Sequence, residues 1–180
     1  MNSSALCSFV VALCLVMVSY SPMAANASGE QGLAEQICME NLDDKEGCTL
    51  LLKQADPKIV NAMTFDDLAQ ATLEWAVTKG TEAQAFLKQL AQMDNNPAIT
   101  QCANFDYDGV VASFKSALEE LQEDPQTASY DAKVAGDGPA CCDRGLASAN
   151  ITNPAIAALN RQIVILSTMA FTAVCKLGDQ

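Results

Sequence analysis

Apolar residues recur at intervals of three and four along most of this chain, and no stretch sustains the apolar-polar alternation with β-branched enrichment that marks a strand. The periodicity predicts an all-α protein. Its segments are punctuated by Asp56-Pro57, Asn95-Asn96-Pro97, Glu123-Asp124-Pro125 and Asn153-Pro154, because the residue before a proline is biased away from helix. Thr64 reads as an N-cap with Asp66 and Asp67 in the first turn, where the helix dipole favours negative charge. The helix it opens would bury Phe65, Ala69, Leu73, Ala76, Ala83, Leu87 and Leu90, with Gly80 its weak point and a candidate kink.

A second long helix is predicted from Pro97 at an N1 position, burying Ile99, Ala103, Val110, Phe114, Ala117 and Leu121. A third runs from Pro125 to Leu146 despite Gly136, Gly138 and Pro139. In the last, Asn153 caps, Pro154 sits at N1, and Ile156, Leu159, Ile163, Leu166, Ala170, Val174 and Leu177 form the buried stripe. Val164, Ile165, Met169 and Phe171 extend its apolar surface around the circumference, which predicts a central position. Upstream, LAEQICME and CTLLLKQ flank the polar NLDDKEG and read as two short helices. The architecture expected is an up-down-up-down four-helix bundle (residues 61–180) preceded by a short N-terminal α-hairpin (residues 28–60), together one domain.

Residues 1–27 read as a secretory signal peptide. The apolar run from Ala5 to Val18 is followed by Ala25-Asn26-Ala27, an A-x-A cleavage pattern, and is shorter than the ~20 residues that span a bilayer. The mature chain is therefore expected to be secreted, with no membrane attachment after cleavage. Of eight cysteines, Cys7 and Cys14 leave with the leader, and Cys38, Cys48, Cys102, Cys141, Cys142 and Cys175 enter a disulfide-permissive compartment. Nine residues separate Cys38 from Cys48, a spacing that suits a bridge across the neck of the hairpin. Cys102 near the start of the second bundle helix and Cys141-Cys142 near the end of the third would meet at one end of antiparallel neighbours. Cys175 would lie on the order of 30 Å away and cannot join them.

The chain carries 22 Asp and Glu against 10 Lys and Arg, a formal charge of −12, and no histidine. That balance argues against nucleic acid or an anionic membrane as partner, since both need a basic face, and favours a neutral or basic protein. Without histidine there is no Ser-His-Asp triad, Cys-His pair or His-ligated metal site. Neither a catalytic residue nor a metal or cofactor is expected. The adjacent acids Asp43-Asp44, Asp66-Asp67, Glu119-Glu120 and Glu123-Asp124 fit helix starts and exposed turns better than a glycosidase pair. Asn150-Ile151-Thr152 is a glycosylation acceptor sequence in a predicted turn. Trp75 is assigned to a helix contact, and Asp106, Tyr107, Lys115 and Arg161 to solvated or half-buried helix positions.

The signal peptide, the Cys38/Cys48 hairpin, the Asn-Pro break, Cys102 opening QCANFDYDGVVASFKSALEEL, and Cys142 followed by Asp143 forty residues later together resemble the plant pectin methylesterase and invertase inhibitors over the whole mature chain. The resemblance implies bridges Cys38–Cys48 and Cys102–Cys142, with Cys141 and Cys175 left over. It further implies a non-enzymatic role, in which the protein forms a stoichiometric complex that occludes the cleft of a carbohydrate-active enzyme in the apoplast, the cell wall or the vacuole. Invertase inhibitors of this kind carry Pro-Lys-Phe after an Asp between the second and third bundle helices, where this chain has Asp124-Pro125-Gln126-Thr127. Those four residues are the expected partner-binding turn, and the missing Lys and Phe place pectin methylesterase ahead of invertase as target. An allergen-like protein or small-ligand carrier without inhibitory activity is the remaining alternative.

Overall fold

The structure, a computed structural model, describes residues 32–177. The expected leader and cleavage point, with Cys7 and Cys14, lie outside the described residues. Two short helices, α1 (Leu33–Asn41) and α2 (Lys45–Leu52), form the hairpin. Asp44 caps α2 by accepting from the Gly47 N–H at 2.9 Å, and the Cys38–Cys48 bridge ties the pair with a Cα separation of 5.6 Å. One turn of helix, α3 (Pro57–Val60), follows where Asp56-Pro57 suggested only a break; Asp56 caps it and Pro57 occupies N1.

Helix α4 (Phe65–Asp94) starts at Thr64, whose hydroxyl accepts from the Asp67 N–H at 3.1 Å, and runs through Gly80 without interruption. It ends at Asn95, which takes the left-handed conformation (φ 48°). The second arm begins as α5 (Pro97–Gln101), passes through a π-helical turn (Cys102–Asp106) and continues as α6 (Tyr107–Glu120). The third arm is α7 (Pro125–Val134) and α8 (Asp137–Ser148), and the fourth is α9 (Pro154–Cys175). Successive arms are antiparallel neighbours: α4 packs on α6, α6 on α7, α7 on α9, and α9 closes the ring on α4. The hairpin leans on α9.

Two expectations about continuity are corrected. The third arm is two helices rather than one, with the break at Ala135-Gly136. The second arm contains a π turn, closed by the Tyr107 N–H donating to the Cys102 carbonyl five residues back. In this stretch Cys102, Ala103, Asp106 and Tyr107 are all buried, so the chain turns both members of each adjacent pair inward. Helix α8 packs against that turn. Gly138 permits the approach, since a Cβ there would sit 2.5 Å from Val110 Cγ2 and 2.6 Å from the Asp106 carbonyl oxygen. The Cys102–Cys142 bridge fastens the same contact with a Cα separation of 4.8 Å.

The core follows the sequence stripes. Leu73, Ala76, Leu87, Val110, Phe114, Ala117, Leu121, Ile156, Ile163, Leu166 and Ala170 are buried, while Phe65, Leu90, Leu159 and Leu177 are only half-buried. Leu68 joins the core although it is absent from the predicted stripe. Helix α9 is central as expected, burying Met169, Ala173 and Val174 as well. Each large aliphatic side chain removed from water contributes about 1.5–3 kcal/mol, so the arms are held chiefly by this shared interior.

Candidate functional site

Among the adjacent acids, Asp44, Asp67 and Asp124 take structural roles at helix starts. Asp44 caps α2 and also accepts from Arg161 on α9, whose Nη2 lies 2.8 Å from Asp44 Oδ1. The guanidinium, and secondarily the Gly47 N–H, hold that carboxyl at about 2. Asp67 Oδ2 accepts from the Thr64 hydroxyl at 2.8 Å, completing the cap of α4.

Two residues assigned to solvated or half-buried positions, Tyr107 and Asp106, are buried instead, while Arg161 is exposed as assigned. Tyr107 is fully buried, and its hydroxyl donates to Asn160 Oδ1 at 2.6 Å; Asn160 Nδ2 in turn donates to Asp143 Oδ1 at 2.6 Å. Burial, with the nearby Asp143 and Asp106 charges, pushes the phenol far above its ordinary value. Asp106 is buried too, and burial pushes its carboxyl up while Gln101 and Arg144 partly oppose the shift. Arg161 carries the ion pair just described. Tyr107 through Asn160, and Arg161 through Asp44, tie helices together; these links were missed in the sequence because the partners are remote in the chain. Trp75 is half-buried against the core, as assigned.

Cys102, Asp106 and Cys142 bring three potential metal donors within 4.8 Å, but both sulfurs are spent in a disulfide, leaving one carboxylate. The trio does not make a metal site. The surface volumes are open grooves of mixed polar and apolar lining. One of about 250 Å³ lies between α2 and α9, bounded by Leu50, Gln54, Arg161 and Gln162; another of about 330 Å³ flanks the start of α4 beside Lys58, Met63 and Asp66.

The predicted partner-binding turn is an ordered corner. Asp124 caps α7: its Oδ1 accepts from the Thr127 N–H at 3.1 Å and its Oδ2 from the Thr127 hydroxyl at 2.8 Å. These donors hold the Asp124 carboxyl below the usual carboxylate range. Pro125 occupies the first helical position. Gln122 Nε2 donates to Asp66 Oδ1 at 3.1 Å, fastening the turn to the start of α4. This end of the bundle thereby gathers the exposed acids Asp66, Asp67, Glu123 and Asp124.

Gln126 and Thr127 are exposed, and Tyr130, three and four residues on, shares their face with 66% of its surface exposed. Lys133 continues the outer side of α7 and lies 5.2 Å from the Phe171 ring centroid. Tyr130 was legible in principle: Ala128, Ala132 and Ala135 form the buried face of α7, which leaves an aromatic two residues from Ala128 on the outer side. The arrangement brings together an exposed aromatic, a short polar edge and a rim of carboxylates at one end of the bundle.

No protein-family model and no curated protein sequence matches the chain. Solved structures of inhibitor proteins share its fold. A mutant form of a pectin methylesterase inhibitor from Arabidopsis is 19% identical, with a TM-score of 0.66 over 80% of this chain and 96% of that one. A pectin methylesterase inhibitor from Arabidopsis thaliana is 18% identical, with a TM-score of 0.59 over 80% of this chain and 95% of its own. The likeness is one of fold: the helical arrangement of these inhibitors is the arrangement found here.

Proposed function

We propose that this protein is a secreted inhibitor that binds pectin methylesterase in a stoichiometric complex and occludes its cleft, and is not itself an enzyme. The observation that carries the reading is the fold likeness to pectin methylesterase inhibitors across nearly their whole length. The surface chemistry supports it. A chain with no histidine and 22 acids has little to offer general acid–base catalysis at neutral pH, whereas an exposed Tyr beside a fixed polar turn is a common anchor of protein interfaces.

Docking through the α6–α7 corner places Tyr130, Gln126 and Thr127 at the centre and the carboxylates Asp66, Asp67, Glu123 and Asp124 at the rim. A rim of like charge steers a basic partner and makes association salt-dependent. Gln126 and Thr127 stand where the invertase inhibitors that this chain resembles carry Lys and Phe, which favours methylesterase over invertase. The site of action is the apoplast. Assaying a purified pectin methylesterase and an invertase side by side tests the assignment: the methylesterase loses its activity and the invertase keeps it. The reverse pattern would transfer the reading to invertase.

A further inference from the structure

We propose that Asn150 carries an N-linked glycan. The turn between α8 and α9 closes in a Schellman arrangement, the Ile151 N–H donating to the Leu146 carbonyl at 2.9 Å and the Asn150 N–H to the Ala147 carbonyl at 3.0 Å. Asn150 occupies its left-handed position with φ 55°, where glycine is the commonest residue and asparagine the next choice. The turn therefore accounts for Asn150 without any modification, and the discriminating residue is Thr152.

Ile151 packs against the core and Asn153 caps α9, accepting from the Ala155 N–H at 3.0 Å and the Ile156 N–H at 3.2 Å. Thr152, between them, is exposed and engages no partner among the described residues. The fold uses residues 150, 151 and 153 and leaves the hydroxyl at 152 idle, yet a hydroxyl two residues after Asn is what the acceptor tripeptide requires. Residues 147–150 are all exposed and carry no charge, so a bulky glycan meets no packed neighbour there.

In the reaction, Asn150 Nδ2 attacks the anomeric carbon of a polyprenyl-diphosphate-linked oligosaccharide. The N–C bond forms, the bond from that carbon to the diphosphate oxygen breaks, the amide proton passes to a base, and polyprenyl diphosphate departs. Helix α9 has 22 residues, about 33 Å, and the glycosylated turn lies at its start, the end of the bundle opposite the α6–α7 corner. A glycan at Asn150 leaves the proposed docking end open.

The proposal rests on the reading of residues 1–27 as a secretory leader, and its test separates the two. The full chain is translated with endoplasmic-reticulum microsomes, protease protection reporting entry and a peptide-N-glycosidase-sensitive mass increment reporting modification. The protected chain gains an increment that Asn150→Gln and Thr152→Ala abolish and Thr152→Ser retains. A protected chain without an increment, or one unchanged in Asn150→Gln, overturns the proposal. If the chain is not protected, the leader reading fails; residues 28–180 behind an established secretory leader then decide the glycan by the same two outcomes.

Discussion

The Tyr107 hydroxyl donates to Asn160 Oδ1 at 2.6 Å between α6 and α9, across 53 residues of sequence, and both side chains are buried. Tyr107→Phe keeps the ring and removes the donor, leaving Asn160 with an unpaired acceptor in the interior. A buried group so orphaned costs about 1–3 kcal/mol. Urea unfolding of the variant is expected to show an unfolding free energy lower by that amount, seen as a lower midpoint with an unchanged m-value.

Two glycines on opposite sides of the packing problem respond in opposite directions. Gly138→Ala drives a methyl to within 2.5 Å of Val110 Cγ2 and 2.6 Å of the Asp106 carbonyl, backbone that cannot yield cheaply, so destabilisation by about 1–3 kcal/mol is expected. A Cβ at Gly109, inside α6, meets nothing within 4 Å, and Gly109→Ala should stabilise by up to ~1 kcal/mol through helix propensity. Thermal melts of the two variants check both signs.

The Asp44–Arg161 pair gives stability a defined acid dependence. With its folded value lowered to about 2 from an ordinary value of 3.8, Asp44 contributes in full above pH ~4, and that contribution disappears as the pH falls toward 2. Asn at this position still caps α2, so Asp44→Asn isolates the charge. The variant should melt below the wild type at pH 6, and the gap should close between pH 4 and 2.

The cysteine assignment predicts two titratable thiols, Cys141 and Cys175, in denatured but unreduced protein spanning residues 28–180. Reduction should raise the count to six. The 40-residue separation of Cys102–Cys142 constrains the unfolded chain more than the 10-residue separation of Cys38–Cys48, so Cys102→Ser should cost more stability than Cys38→Ser, both within about 2–5 kcal/mol.

What could be read from the sequence was what local chemistry determines. Thr64 and Asn153 each cap a helix and Pro97 and Pro154 sit at first helical positions as read, whereas Pro57, read only as a break, opens a short helix of its own. Apolar stripes located the core because a period of 3.6 residues needs no knowledge of the partner helix. The π turn was not legible, since Cys102, Ala103, Asp106, Tyr107 and Val110 also satisfy an ordinary helical stripe. Nor was the burial of Tyr107 and Asp106, which depends on Asn160 and on α8 arriving from elsewhere in the chain. In the candidate site, Asp124 and Pro125, read as part of the expected partner-binding turn, are the cap and first position of α7, whereas Tyr130, opposite the buried alanine face of that helix, was not singled out in the sequence.

The most direct measurement is a titration of a purified plant pectin methylesterase with this protein at constant enzyme concentration. Methylesterase activity should fall linearly and approach zero near one mole of protein per mole of enzyme, with Tyr130→Ala shifting the curve to higher concentration. Undiminished activity at a several-fold excess of correctly folded, disulfide-intact protein would contradict the assignment.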